Sequence, residues 1–204
     1  AETDVGEELR TPYSYVGNAP LVGVDPTGEE FIIERTKGEP LSGYNFADFK
    51  DAVAKIGAGE IKNMTIEGHG NPWLITFHHW SDNDDLVKHG SNQPGEIRLT
   101  KNKNGYNLTA VDGAERSAFD VVKQLKGKFA KDAVTTFLGC EVADGDVNIV
   151  QQFSQQLSTT AKGSPKLILG GWRSMVPEGI AKRIPMGAAP GGMLEYRNGV
   201  LAGR

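Results

Sequence analysis

The chain has 204 residues, 38% of them hydrophobic, and a formal net charge of −4. That length supports one substantial core rather than two full-sized domains, and the acidic balance argues against nucleic acid or an anionic membrane surface as partner. No run approaches the roughly 20 consecutive apolar residues of a membrane span, and the single cysteine excludes an internal disulfide and a cysteine-based zinc site.

Residues 1–29 open on the acidic AETDVGEELR, which lacks the basic and apolar regions of an export signal, and continue through VGNAPLVGVDPTGEE, dense in Gly, Pro, Asn and Asp. This stretch reads as turn-rich extended chain, and the initial Ala suggests a piece of something longer. The globular part is expected over 30–204. FIIER (31–35) is a β-branched run suited to a first strand. In NFADFKDAVAKIG, Phe46, Phe49, Val53 and Ile56 recur at helical spacing behind the candidate N-cap Asn45, with Gly57 past the end. IKNMTIEGHG (61–70) predicts a strand running into Gly-His-Gly, and WLITFHHW (73–80) a second strand after the Asn71-Pro72 turn.

Residues 81–95 are polar and read as a surface loop. EIRLT and YNLTAV predict a hairpin across Asn104-Gly105. ERSAFDVVKQLKGKF sets Ala118, Val122, Leu125 and Phe129 at intervals of three and four, which predicts a second helix. AVTTFLG (133–139) is the strongest buried-strand candidate and leads directly into Cys140. A third helix is expected over 147–160, a strand over 166–172 (KLILGGW) and a hairpin about Asn198-Gly199. The order predicts an α/β fold with a mostly parallel central sheet, flanked by helices and carrying an inserted β-hairpin. Active groups in such sheets gather at the carboxyl ends of strands, where His69 and Cys140 both fall.

A thiol is only a few per cent ionised near neutral pH, and an imidazole that accepts its proton makes it an effective nucleophile. His69 and Cys140 stand 71 positions apart, and if their strands share a parallel sheet both side chains emerge at one edge. The glycines suit close approach: Gly68 and Gly70 flank His69, and Gly139 permits a sharp exit before Cys140. A backbone N–H beside Cys140, or that of Gly70, can then donate to an oxyanion. The competing interpretation is that Cys140 is a small buried core residue, as isolated cysteines commonly are.

The pairing of TIEGHG (65–70) with TTFLGC (135–140) resembles the caspase-like, or clan CD, cysteine peptidases. The resemblance covers roughly residues 30–175 in element order and implies a caspase-like fold with endopeptidase activity and no cofactor. By that resemblance His69 is the general acid/base, Cys140 the nucleophile, and the backbone around Gly70, Gly139 and Cys140 the oxyanion site. The interval from His69 to Cys140 is long for the family, and the hairpin near 96–110 would be an insertion. YSYVGNAPLVGVDPTGEE (13–30) resembles the end of an Rhs/YD-repeat core, in which Asp-Pro-x-Gly closes a repeat shell before a variable C-terminal toxin. Glu29 stands where that motif usually has Leu. This second resemblance implies a secreted effector delivered into a competitor or host cell, where the peptidase resemblance implies a protein substrate. It also implies the Rhs shell and a cognate immunity protein as partners.

Other features allow other chemistry. HHWSDNDD gathers His78, His79, Asp82, Asp84 and Asp85, with His89 nearby, which admits a metal-dependent nuclease. Adjacent strand histidines point to opposite faces, so His78 and His79 cannot both reach one ion without a bulge. Asp144 and Asp146 either select a basic residue at the cleavage position or favour a following helix as N-terminal acids. Trp172 and Arg173 fall where the peptidase resemblance implies part of a substrate cleft; Arg173 either binds an acidic side chain there or sits in solvent.

Overall fold

The structure, a computed structural model, describes residues 31–77, 95–113, 115–165 and 192–203. Its central element is a seven-stranded sheet in the spatial order β12-β11-β10-β9-β3-β1-β2. In chain order these strands are β1 (Phe31–Arg35), β2 (Leu41–Gly43), β3 (Ile61–Glu67), β9 (Phe129–Leu138), β10 (Thr160–Gly163), β11 (Leu194–Arg197) and β12 (Val200–Gly203). A second, five-stranded antiparallel sheet is formed by β4 (Gly70–Asn71), β5 (Leu74–Thr76), β6 (Glu96–Asn102), β7 (Gly105–Val111) and β8 (Ala118–Asp120). Three helices complete the described residues: α1 (Phe46–Lys55), α2 (Val121–Leu125) and α3 (Ile149–Leu157).

The α/β class agrees with the sequence, but the expected mostly parallel sheet does not. Only β3 with β9 and β9 with β10 pair in parallel; β1 runs antiparallel to both β2 and β3, and β11 antiparallel to both β10 and β12. The physical reason lies in the three-residue strand β2. It reverses the chain before α1, so the crossover helix connects β2 to β3 and leaves β1 as an antiparallel strand between them. The expected hairpin insertion is present as β6 and β7, within the larger second sheet.

Strand alternation puts Phe31, Ile33, Met64, Ile66, Thr135, Phe137 and Ala161 on one fully buried face of the seven-stranded sheet, as their pairing registers require. The helices and the second sheet contribute to the same core. Phe49 of α1 packs against Phe31 at 5.2 Å, Phe77 at 5.0 Å and Phe119 at 5.9 Å between ring centroids, joining β1 to β8 and to the residue that follows β5. Further along the same face Phe153 of α3 meets Phe137 edge-on at 5.1 Å, which fixes that helix over β9.

The helix ends follow from capping chemistry. Asn45 accepts hydrogen bonds from the Ala47 and Asp48 N–H groups at the start of α1. Asn148 does the same for Gln151 in α3. The helix expected across 115–129 breaks into three pieces, with Ala118 in β8, Val122 and Leu125 in α2, and Phe129 opening β9. Asp120 caps α2 through the Lys123 N–H, and Gly127 at φ 77° turns the chain out of it. The third helix spans nine residues rather than the whole of 147–160, because Ser158 takes a left-handed conformation and Thr160 already belongs to β10. The strand expected at 166–172 and the stretch 1–30 lie outside the described residues.

Candidate functional site

The two strands that precede His69 and Cys140 are neighbours. β3 and β9 pair in parallel with Ile66 opposite Phe137 and Glu67 opposite Leu138. The contact continues past the ladder: the Gly68 N–H donates to the Leu138 carbonyl at 3.4 Å. A β-carbon on Gly70 would lie 3.1 Å from the Cys140 carbonyl oxygen and 3.2 Å from the Gly139 Cα. The segment 68–70 therefore runs alongside 138–140, and His69 and Cys140 end adjacent parallel strands. Both residues are half-buried.

Each residue has its own support. Thr76 of β5 hydrogen-bonds the His69 backbone: its hydroxyl accepts the His69 N–H at 3.0 Å, and its own N–H donates to the His69 carbonyl at 2.8 Å. Cys140 opens a tight turn in which Glu141 is left-handed at φ 57° and the Asp144 N–H donates to the Glu141 carbonyl at 3.0 Å. Val142 and Ala143 are buried behind that turn, and the Ala143 N–H donates to the Ser164 carbonyl at the end of β10. The second sheet is tied to the same end of the molecule, since the Ile149 N–H at the start of α3 donates to the Pro72 carbonyl at 2.7 Å.

Asp144 and Asp146 are exposed and precede the N-cap Asn148. The first turn of α3 contains no acid, so the expectation that they act as N-terminal helix acids is corrected: they stand outside the turn over which the helix dipole is effective. Trp172 and Arg173 lie outside the described residues, as do His78, His79, Asp82, Asp84, Asp85 and His89. Among the described residues no group of three or more His, Cys, Asp or Glu side chains is arranged to hold a metal ion. No described helix is long and apolar enough to cross a membrane. Thr76 and Val142 were not singled out by the sequence. Thr76 belongs to a strand whose pairing with His69 depends on the second sheet, and Val142 reads as one more apolar residue until its glycine neighbours are in place.

Comparison of the chain with protein-family models, with curated proteins and with solved structures gives no match.

Proposed function

We propose that the chain is a cysteine endopeptidase of caspase-like architecture, in which Cys140 is the nucleophile and His69 the general acid/base. The observation that carries the reading is the placement of these two residues at the carboxyl ends of the adjacent parallel strands β3 and β9, with segment 68–70 running alongside 138–140. The Cys140 sulfur attacks the scissile carbonyl carbon as its proton passes to the His69 imidazole. The tetrahedral oxyanion is held by the N–H groups of Gly70 and Cys140. As the C–N bond breaks, His69 returns the proton to the leaving amine. Water then attacks the thioester, with His69 accepting its proton, and restores the free thiol. This chemistry calls on no metal or cofactor.

The Rhs-like sequence at 13–30 supports the further reading that residues 30–204 are an effector delivered into a target cell, with a cellular protein as substrate and an immunity protein as its inhibitor. The test combines expression toxicity with labelling by a thiol-reactive peptide electrophile. Cys140→Ala and His69→Ala are each expected to abolish toxicity and labelling without loss of fold, and chelators to change nothing. Full toxicity of Cys140→Ala overturns the reading. Chelator-sensitive loss of nucleic acid in intoxicated cells replaces it with a metal-dependent nuclease.

A further inference from the structure

We propose that Thr76 is a positioning residue for His69, an inference that rests on the Cys140 and His69 reading above. The His69 backbone is held at both of its polar groups by this one residue. The Thr76 hydroxyl accepts the His69 N–H at 3.0 Å and donates to the His69 carbonyl at 3.3 Å, and the Thr76 N–H donates to that carbonyl at 2.8 Å. The preceding residue is pressed against the same place: Gly68 has φ 158°, and a β-carbon on it would run into the Thr76 carbonyl. His69 stands between two ladders, two residues past the end of β3 and one before Gly70, which pairs with Ile75. The Thr76 backbone holds the His69 carbonyl, and the hydroxyl adds the acceptor for the His69 N–H.

Thr76 is itself well anchored. Its neighbour Ile75 is fully buried and pairs with Ile97, and the Phe77 N–H donates to the Gly95 carbonyl at 2.9 Å. The second sheet thereby sets where His69 stands relative to Cys140. Valine at position 76 preserves the shape but removes the hydroxyl, leaving the His69 N–H without its acceptor. Serine keeps the hydroxyl.

The single cysteine makes the test direct, because alkylation by iodoacetamide reports Cys140 alone. The rate is followed against pH on the full chain, beside thermal unfolding. An imidazole that accepts the thiol proton is expected to give alkylation a low-pH limb, and His69→Ala to remove it. Thr76→Val is expected to slow the low-pH limb roughly tenfold or more, since small misplacements of a reacting group have effects of that order. Thr76→Ser is expected to stay within about twofold of wild type on the same scale. If Thr76→Val does not fold, Thr76→Ala takes its place. A limb unchanged in the folded valine or alanine variant, even with a lower melting temperature, overturns the positioning role and leaves the dyad standing. Loss of the limb in Thr76→Ser also overturns it. A wild-type profile that matches His69→Ala overturns the dyad and the positioning role together.

Discussion

The side chain of Val142 fills the space that a β-carbon on Gly70 would need. Two further glycines receive the same side chain: β-carbons on Gly139 and Gly163 would lie 2.8 Å from its Cγ1 and 2.9 Å from its Cγ2. These glycines come from β4, from the end of β9 and from β10, so the turn that carries Cys140 is plugged into a socket made by three strands. Gly70→Ala is expected to cost about 1–3 kcal/mol by overpacking, and Val142→Ala about 2 kcal/mol by leaving a cavity. The double variant should be less destabilised than the sum of the two, because the methyl added at 70 enters the space vacated at 142. Urea denaturation of the four proteins checks this, and strict additivity contradicts the socket.

Thr135 lies at the centre of β9 on the buried face, fully enclosed, and its hydroxyl has no hydrogen-bond partner. An unpaired hydroxyl in an apolar core costs on the order of 1–3 kcal/mol. Thr135→Val, which keeps the branched shape, is therefore expected to raise stability by about 1 kcal/mol and to leave Cys140 alkylation unchanged. A lower denaturation midpoint for the valine variant would show that the hydroxyl has a use.

Asn148 joins the end of the Cys140 turn to α3 and to β11. Its Oδ1 accepts the Gln151 N–H at 2.8 Å, while its Nδ2 donates to the Ala143 and Gly145 carbonyls and, at 3.1 Å, to the Tyr196 hydroxyl. Asn148→Ala is expected to cost roughly 2–3 kcal/mol, the loss of a cap together with acceptors left unpaired in the interior. Asn148→Asp keeps the cap acceptor but turns a negative charge toward three oxygens, so it should not rescue stability. Equal melting temperatures for the aspartate variant and wild type would contradict the donor role.

Glu195 on β11 bridges Lys162 of β10 at 2.9 Å and Arg197 at 2.8 Å. Its carboxyl is held below the usual range, first by the hydrogen bond from Lys162 and then by the one from Arg197, against partial burial. A carboxyl lowered in the folded state binds its proton more readily when the chain unfolds. Its stabilising effect is thus present above the unfolded pKa of about 4.3 and is lost as pH falls through the lower folded value. The difference in melting temperature between wild type and Glu195→Gln should be constant near neutrality and vanish in acid. A difference that grows on acidification contradicts the assignment.

Much of this architecture was legible because single residues carried strong local signals. Asn45 and Asn148 precede their helices as caps, and the Asn-Gly pairs at 104–105 and 198–199 stand at the turns of β6–β7 and β11–β12, the latter with φ 51° and 80°. The strands β2 and β10 were missed because LSG and TAKG carry almost no apolar side chains; long-range pairing makes them strands. The false helix at 115–129 had the right spacing for the wrong reason. Phe119 packs beneath α1 from β8 and Phe129 packs against α3 from β9, so one apolar rhythm served separate elements. For the candidate site, the sequence placed His69 and Cys140 at strand ends. The Thr76 clamp and the glycine socket exist only once distant strands meet.

The register of β3 against β9 also makes the arrangement a matter of odd and even. Residues 133, 135, 137 and 139 of the chain face inward or are buried, and 134, 136, 138 and 140 alternate with them. Removing a single residue anywhere between Thr135 and Gly139 would exchange the two sets, sending the apolar side chains outward and the cysteine position inward. Removing two would shorten the strand but keep the phase. Within this segment a deletion of one residue therefore inverts the buried pattern, whereas a deletion of two preserves its phase.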